Sequence, residues 1–549
     1  MSPAPAHALL WQEIADAANA RPDFAVLTFE HQGQVTSRSY RQLWDNACRL
    51  AQALQDLGLQ RGEHFALLMA NHPEFVEAML AASLTGSVFV PIDPRSHGER
   101  LAFLLAHAPC RGVIASDAHL AQLQDIRSAC PHLHWILALH SGEVAHQEDD
   151  WRGVRSLQQT LRDTPLHKDW PARAATDAQA PWQILFTSGT TGAPKGIVMH
   201  QQRYLDNARA TRLLCGYQED DRPYTGLSLT HANAQVLTLG SCLVQGMPGV
   251  ISRRFSKSRL WAITRRFGCT TFNLLGGMST ALYAEPEQAD DSDHPVRFVL
   301  SAGMPAAIWE DFERRFAVRI LEFYGSAEGG LTFNRIAGVR VGSIGRTVPS
   351  LRHRIVDAQG CDLPPDAHGE RCGELLFQAA DGSPAQVPYL HDPKASAAKS
   401  RDGWLWTGDI VREDAEGWLY FLHRQGLSLR RNGEFIDTAA ITKVIADDVA
   451  VDDVYVYGMT AASGVAGEKD IVVAVVARAG HDLDIANLFA RCRGALPRNA
   501  CPTYIQTIAH IPKTASEKPR EDALMAAFNS QPETVYREQT CCPTMEKHA

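Results

Sequence analysis

The chain has 549 residues, more than one hydrophobic core usually organises, so at least two domains are expected. Its apolar fraction of 45% is that of an ordinary globular protein, and its net charge of −9 argues against nucleic acid or an anionic membrane as main partner. The 12 cysteines lack metal-ligand spacing, and no apolar run is long enough to span a bilayer. We therefore expect no structural zinc site, no transmembrane segment, no secretory signal, and a cytoplasmic protein with reduced thiols.

The N-terminal part alternates between helical and strand-like patterns. The predicted elements are helices over 8–18, 40–57 and 73–85, a hairpin over 24–39, and short apolar strands over 64–69, 88–92, 112–114 and 135–137. Alternation of apolar strands with helices predicts parallel, doubly wound sheets. The polar segment 147–179, rich in proline and aspartate, predicts an irregular lead-in to the next apolar strand.

The stretch 184–198 joins two apolar strands through a loop of glycines and hydroxyls. Glycine lets backbone N–H groups approach an anion, hydroxyls add donors, and a lysine adds positive charge suited to phosphate. Pro194 before the lysine, and a strand after it, distinguish this loop from a helix-opening P-loop. A surface hairpin loop is the alternative, but so many phosphate-competent groups favour a polyphosphate site. Its candidate ligands are Thr187, Ser188, Gly189, Thr190, Thr191, Gly192 and Lys195.

Seven further motifs lie beyond this loop, each of which on its own resembles an ordinary turn or strand end. They are Leu-Ser-Leu-Thr-His at 227–231, Ser-Ala-Gly-Met-Pro at 301–305, Phe-Tyr-Gly-Ser-Ala-Glu at 323–328, Trp-Leu-Trp-Thr-Gly-Asp at 404–409, Leu-His-Arg-Gln-Gly at 422–426, Arg-Arg-Asn-Gly-Glu at 430–434 and Pro-Lys-Thr-Ala-Ser-Glu-Lys at 512–518. After about residue 420 the texture changes to small α+β units, with strands predicted over 454–459 and 471–477 and a helix over 485–492. From about Gln531 the sequence is polar and predicts a frayed tail.

Together, the loop and these motifs resemble the adenylate-forming superfamily of acyl-CoA synthetases, luciferases and peptide-synthetase adenylation domains. The resemblance runs from about Tyr40 to Leu524, and the C-terminal half is most similar to carnitine/crotonobetaine and fatty-acid-transport-type CoA ligases. It implies an α/β fold with a large N-terminal domain, 1–422, of doubly wound sheets with a distorted barrel. A small mobile α+β C-terminal domain, 423–549, would rotate about Gly426.

The resemblance also implies roles for individual residues. Adenine would lie against Ala302, Gly303, Met304 and Pro305 and beside Phe323, Tyr324, Gly325 and Ser326, while Asp409 and Arg424 would bind ribose. Glu328 and Thr187 would reach Mg²⁺, which with phosphates needs only one or two carboxylates. Lys518 would stabilise charge during adenylation, His231 would border the acyl pocket, and Gly433 would leave room for the pantetheine of CoA. The predicted catalytic residues are Lys518, Thr187, Glu328 and His231.

Two positions depart from the family pattern. Ala327 stands where relatives have a threonine, which removes a hydroxyl contact worth about 1.5–3 kcal/mol if nothing compensates. Ser326 does not replace it, because it lies one position earlier. Glu517 stands where relatives have a glycine before the lysine. These departures motivate the hypothesis of an inactive relative.

The motifs are compatible with three hypotheses. The first is an ATP- and Mg²⁺-dependent ligase that joins a small carboxylic acid to coenzyme A. The second is an adenylating enzyme that passes its acid to a carrier-protein thiol or an amine; His231-Ala232-Asn233 stands where amino-acid-activating relatives have an aspartate, which argues against an α-amino acid. The third is the inactive relative. A homodimer is left open, and small or polar residues around 231–235, 274–279, 301–302 and 329–332 indicate a roomy acyl pocket with some hydrogen bonding.

Overall fold

The computed structural model of the chain describes residues 9–143, 153–187, 194–425, 429–431, 434–436, 438–461, 469–514 and 519–538. Several predicted site residues lie outside these ranges: Ser188, Gly189, Thr190, Thr191, Gly192, Gly426, Gly433, Glu517 and Lys518. Within the described ranges, no helix is both long enough and apolar enough to cross a membrane.

The first part of the chain alternates helices and strands as its sequence predicts. Its elements are α1 (Leu10–Ala20), β1 (Ala25–His31), β2 (Gln34–Ser39), α2 (Tyr40–Asp56), β3 (His64–Leu68), α3 (Pro73–Thr85), β4 (Val88–Pro91), α4 (Gly98–His107), β5 (Cys110–Ser116), α5 (Leu120–Asp125), β6 (Trp135–Leu139), β7 (Val154–Ser156), α6 (Leu157–Asp163), α7 (Trp170–Arg173), β8 (Pro181–Thr187) and β9 (Lys195–His200). Local signals set the helix ends: Ser39 and Gln42 form a capping box at α2, and α3 begins at Pro73 and ends before the left-handed Gly86.

Seven of these strands form one sheet in the order β7-β6-β5-β3-β4-β8-β9, parallel except for the last pair. Residues Phe65 to Leu68 of β3 are all buried, as expected for a central parallel strand covered on both faces. The prediction of an irregular segment over 147–179 is wrong for its described part, which contains β7, α6 and α7. The side chain of Ser156 caps α6 and Leu157 is buried, signals too short to stand out in a polar stretch.

The middle of the chain builds a second doubly wound sheet. Its elements are α8 (Gln201–Cys215), β10 (Pro223–Thr225), a π-helix (Ala234–Gly240), α9 (Ser241–Gln245), β11 (Gly249–Ser252), α10 (Leu260–Phe267), β12 (Thr271–Leu275), α11 (Gly276–Tyr283), β13 (Phe298–Ala302), α12 (Ala306–Phe316), β14 (Arg319–Gly325), β15 (Leu331–Phe333) and β16 (Arg346–Thr347). Nine strands pair in the order β16-β15-β14-β13-β12-β10-β11-β1-β2. The strands from β1 to β14 in this order run parallel, so the carboxyl ends of β12, β13 and β14 meet at one edge.

A smaller antiparallel sheet of five strands follows the second doubly wound sheet in the chain. It contains β17 (Leu351–Val356), β18 (Arg371–Ala379), β19 (Ser400–Arg401), β20 (Trp404–Glu413) and β21 (Leu419–Arg424), with α13 (Pro393–Lys399) before β19. The order is β17-β18-β20-β19, and β21 pairs with β20. The motif 404–409 therefore lies inside β20. The predicted domain boundary after residue 422 falls within β21, and the boundary stays a prediction.

The C-terminal part is α+β, as predicted. Its elements are β22 (Arg430–Arg431), β23 (Glu434–Phe435), α14 (Thr438–Ala446), β24 (Val451–Thr460), β25 (Lys469–Ala477), α15 (Ile485–Ala495), β26 (Tyr504–Thr507), α16 (Glu521–Ser530) and β27 (Val535–Arg537). The sheet order is β24-β25-β26-β27. The prediction that the chain frays from Gln531 is wrong up to Glu538, because β27 pairs with β26 and Tyr536 packs against the apolar core of this part. A three-residue strand shows no periodicity that sequence analysis could detect.

Candidate active site

The turn predicted to hold adenine lies where β13 ends and α12 begins. Gly303 has a left-handed φ of +102°, and a Cβ added at Gly276 would come 2.7 Å from the Gly303 carbonyl oxygen, so two backbones pass in contact here. The buried Glu322 carboxyl accepts hydrogen bonds from the backbone N–H of Gly303 and, at 3.1 Å, from that of Met304. Burial raises the pKa of Glu322 to about 8, although these two donors oppose the rise. Sequence analysis did not single out this residue.

Asp409 is the centre of a charged hydrogen-bond network next to that turn. It is 4% exposed and lies on β20. The Tyr324 hydroxyl on β14 donates to its Oδ2 at 2.6 Å, and the Arg424 guanidinium on β21 donates to Oδ1 at 2.9 Å. Burial and then the Asp409 carboxylate raise the pKa of Tyr324 well above its ordinary value. Burial alone lowers the pKa of Arg424, but Asp409 outweighs it and the net shift is upward. Three strands thus converge on one buried carboxylate.

The segment after β14 is fixed by ring stacking and by hydrogen bonds around Ala327. Tyr324 stacks on Phe377 with ring centroids 6.3 Å apart, and Phe323 stacks on Phe333. The Ser326 hydroxyl donates to the carbonyl oxygen of Gly329 at 2.7 Å, so it serves the turn itself. Ala327 packs against an apolar cluster, and Arg203 donates to its carbonyl oxygen at 2.9 Å.

Glu328 and Lys195 both contact Tyr389, Glu328 at its hydroxyl and Lys195 at the face of its ring. The Tyr389 hydroxyl donates to Glu328 Oε1 at 2.9 Å, and Lys195 Nζ lies 5.2 Å from the centroid of the Tyr389 ring. Burial, and then the Glu328 carboxylate, raise the pKa of Tyr389. Lys195 also lies 3.9 Å from Asp392, and the Thr187 hydroxyl donates to the Lys195 carbonyl oxygen at 3.4 Å across the β8–β9 hairpin. The hairpin therefore places Lys195 against the Tyr389 ring, whose hydroxyl binds Glu328.

Two half-buried cations that the sequence did not indicate, Lys399 and Arg203, interact with the Glu328 carboxylate. Lys399 Nζ, at the end of α13, donates to the carbonyl oxygens of Trp406 at 3.0 Å and Thr407 at 2.8 Å. Burial lowers the pKa of Lys399, which the Glu328 carboxylate partly opposes. Burial also lowers the pKa of Arg203, again against Glu328. Lys399 and Tyr389 fall between residues 388 and 410, beside the 404–409 motif, but nothing in their own positions distinguishes them.

His231 lies on a separate segment that leads into the π-helix. Its backbone N–H donates to the Ser228 carbonyl oxygen at 3.0 Å, and its Nδ1 accepts from the Asn233 backbone at 3.2 Å. The buried Asn71 fixes the preceding residues, since its amide donates to the Leu227 carbonyl oxygen and accepts from the Leu229 N–H, both at 2.8 Å. Ala232 packs in the same apolar cluster as Tyr324 and Ala327, which places this segment beside the nucleotide motifs.

The described residues therefore bring most of the predicted nucleotide ligands together at the carboxyl edge of the second sheet. This is where ligands bind in open α/β sheets. The predicted contributions of the loop over 188–192, of Gly433 and of Lys518 remain outside the described ranges.

Comparison with known proteins agrees with this arrangement. The AMP-binding enzyme family matches residues 14–379, and the AMP-binding enzyme C-terminal domain matches residues 441–518. Among curated proteins, the crotonobetaine/carnitine–CoA ligases of Escherichia coli O7:K1 and Salmonella paratyphi A are each 28% identical over 93% of this chain and 96% of theirs.

Solved structures share the fold. An anthranilate CoA ligase in complex with anthranoyl-AMP matches with a TM-score of 0.82 at 22% identity, covering 97% of this chain and 99% of its own. A benzoate CoA ligase from Burkholderia xenovorans matches with a TM-score of 0.75, also at 22% identity, over 94% and 99%. The family match spans most of the chain and both of its parts, and the chain therefore belongs to the AMP-binding enzyme family.

Proposed function

We propose that this enzyme uses ATP and Mg²⁺ to convert a small carboxylic acid into an acyl adenylate, and then transfers the acyl group to the thiol of coenzyme A. The observation that carries the proposal is the buried Asp409 carboxylate, which accepts from Tyr324 and Arg424 beside the turn Ala302–Pro305. A carboxylate fixed in this way is suited to accept hydrogen bonds from ribose hydroxyls, as in dinucleotide-binding folds. The turn and the Tyr324 ring would then hold adenine.

The triphosphate would lie toward Lys195 and Glu328. Lys195 is an exposed cation on the hairpin whose loop carries the glycines and hydroxyls, and a lysine there suits phosphate as a point charge. The Glu328 carboxylate and the Thr187 hydroxyl offer oxygen ligands, which fits Mg²⁺ completed by phosphate oxygens rather than by a protein cage. When bound, the cation would neutralise phosphate charge. Arg203 and Lys399 add further positive charge around Glu328.

The chemistry needs positioning and charge neutralisation more than covalent participation by the protein. A substrate carboxylate oxygen attacks the α-phosphorus, and the bond from the α-phosphorus to the bridging oxygen breaks to release pyrophosphate. The thiolate of coenzyme A then attacks the acyl carbonyl carbon and expels AMP. Lys518 would stabilise the charge of the first step, and Gly433 would keep the thiol path clear in the second after the C-terminal domain rotates about Gly426.

The test is acid-dependent exchange of labelled pyrophosphate into ATP across a panel of carboxylic acids, followed by a thioester assay. Lys518→Ala should abolish exchange but leave the conversion of supplied acyl-AMP to acyl-CoA largely intact, because the lysine acts only in the first step. Glu517→Gly is the matched neighbour and should be neutral or mildly activating if this glutamate faces solvent. Exchange that persists in Lys518→Ala would contradict the mechanism at its central residue.

The acceptor is tested in the same assay by offering coenzyme A beside a phosphopantetheinylated carrier protein and an amine. Preference for the carrier or the amine would replace the second half of the proposal and leave the first half standing. Absence of exchange with every acid would favour the inactive relative that Ala327 and Glu517 suggest. Cytoplasmic location and a homodimer stay predictions.

A further inference from the structure

Two asparagine side chains form a buried pair beside the candidate active site. Asn233 directly precedes the π-helix and is 7% exposed, and Asn273 lies in the middle of β12 and is 3% exposed. The Asn273 Nδ2 atom donates to the Asn233 Oδ1 atom at 2.6 Å. Each amide therefore uses one of its polar atoms on the other.

The remaining atoms of the pair are unused. Asn233 Nδ2 and Asn273 Oδ1 are buried, and neither has a hydrogen-bond partner within the described part of the chain. Turning both amide groups over leaves the same unused set of one N–H donor group and one carbonyl acceptor. Two facing amides can form two mutual hydrogen bonds; here only one is made. A buried donor and a buried acceptor without partners each lower the stability of the folded protein. A ligand that hydrogen-bonds to both atoms would remove this cost and explains why the pair is retained.

Two buried amides nearby, those of Asn71 and Gln235, are fully engaged in contrast to this pair. Asn71 binds the backbone of Leu227, Leu229 and Ser252. Gln235, two residues after Asn233, donates to the Leu229 carbonyl oxygen at 2.5 Å and accepts from Gln183 at 3.0 Å. Among the described residues, the buried hydroxyls of Thr271 on β12, Ser279 on α11 and Ser301 on β13 also have no hydrogen-bond partner, so the asparagine pair is part of a polar region with unused hydrogen-bonding capacity.

The pair lies where the acid would extend from the adenylate. Asn273 is in register with Leu300 on β13, and two residues further along, Leu275 is in register with Ala302, the first residue of the adenine turn. Two residues of strand span about 7 Å. On the other side, Asn233 follows Ala232, which packs in one cluster with Tyr324 and Ala327. Both partners are thus close to the predicted site of chemistry, and set back from it along the sheet.

Resting on the proposed function, we propose that Asn233 and Asn273 determine substrate specificity by binding a hydroxyl group on the carboxylic acid. One hydroxyl oxygen accepts from the free amide N–H and donates its proton to the free amide oxygen, so a single small group satisfies both atoms. Because both side chains are neutral, the group that they bind is uncharged. A site built to hydrogen-bond a hydroxyl discriminates strongly against the analogue that lacks it, since its own polar atoms are then left unpaired.

The experiment compares matched pairs of acids with and without a hydroxyl at carbon 3, 4 or 5, including aromatic pairs, in acid-dependent ATP–pyrophosphate exchange. The wild-type enzyme should prefer at least one hydroxy acid over its deoxy counterpart by about tenfold or more in kcat/KM. Asn273→Leu and Asn233→Leu should remove this preference by lowering kcat/KM for the hydroxy acid, while that for the deoxy acid stays within about twofold or rises. The exposed Asn487→Leu on α15 is the matched control and should change neither.

The outcomes separate the two proposals. If no acid supports exchange in the wild-type enzyme, the proposed function fails. If exchange occurs but deoxy acids are used as well as hydroxy acids, or if the leucine variants lower both members of a pair equally, the asparagine pair is only structural and the specificity proposal is overturned. Thermal unfolding and the affinity for ATP, measured on each variant, show whether a uniform loss reflects damage to the fold; Asn233→Ser supplies a smaller, still polar replacement for that case.

Discussion

The predicted nucleotide half and acyl half of the candidate site differ in how completely their buried polar groups are hydrogen-bonded. In the predicted nucleotide half, Asp409 has Tyr324 and Arg424 as partners, and Glu322 accepts from the N–H groups of Gly303 and Met304. In the acyl half, Asn233 and Asn273 satisfy each other only in part. The first half is therefore organised before any ligand arrives, whereas the second is completed by the ligand it binds.

This difference has a physical reason. A buried charge is tolerated only when it is paired, because removing it from water costs roughly several kcal/mol. A buried neutral amide with one unpaired polar atom destabilises the protein less, by about 1–3 kcal/mol. A ligand that binds this atom removes that penalty. The ion pair between Asp409 and Arg424 must therefore be formed for the fold to be stable, whereas the neutral asparagine amides can keep polar atoms unpaired until a ligand binds. Three variants test this contrast, in addition to the asparagine series.

The largest effect is expected from Asp409→Ala. This change leaves Arg424 half-buried without its carboxylate and removes the acceptor of the Tyr324 hydroxyl, and breaking such a pair typically costs about 2–5 kcal/mol. We expect KM for ATP in the exchange assay to rise by about 30-fold or more, with both half-reactions impaired. Asp409→Asn, which keeps the shape, separates loss of charge from loss of packing, and the exposed Asp381→Ala serves as control. Unchanged nucleotide affinity in Asp409→Ala would remove the ribose assignment.

A smaller effect is expected from Tyr389→Phe. The ring that faces Lys195 remains, and only the hydroxyl that donates to Glu328 is lost. One hydrogen bond to a charged group is worth about 1.5–3 kcal/mol, so we expect exchange to fall by about tenfold and the Mg²⁺ concentration for half-maximal activity to change. Tyr389→Ala removes the ring as well and should be worse. Equal activity of the phenylalanine variant and wild type would mean that Glu328 does not depend on this partner.

The smallest effect on activity is expected from Glu322→Gln, whose main consequence is for the pH dependence of stability. Because the folded-state pKa of Glu322 is raised to about 8 from an ordinary value of 4.5, the folded protein holds a proton that the unfolded chain releases. The stability tied to this group is therefore fully present below pH 4.5 and is lost as pH rises toward 8. Thermal unfolding measured from about pH 5 to pH 9 should show the wild type losing stability relative to the glutamine variant up to about pH 8, and no further trend above it. A pH-independent difference would contradict this assignment.

The sequence by itself determined the local elements and predicted most of the candidate nucleotide ligands. The continuous apolar run of β3, the capping box of α2 and the Gly-Thr-Lys-rich loop each carry their signal within a few residues, because backbone periodicity, caps and turn chemistry are local properties. The spaced motifs identified Tyr324, Glu328, Asp409 and Arg424 through their resemblance to a known family, although their roles stay predictions.

Only the tertiary structure decided which residues surround those ligands. Tyr389, Lys399, Arg203 and Glu322 belong to no predicted site. Tertiary contacts place them around those ligands: the Tyr389 hydroxyl binds Glu328, and Arg203 binds the Ala327 carbonyl oxygen. The same kind of contact sets Asn273 against Asn233, 40 residues earlier, and Tyr324 against Asp409, 85 residues later. Such contacts depend on strand order and register, which local sequence patterns do not encode, so the unused hydrogen-bonding capacity of the acyl half emerges only once the sheets are assembled.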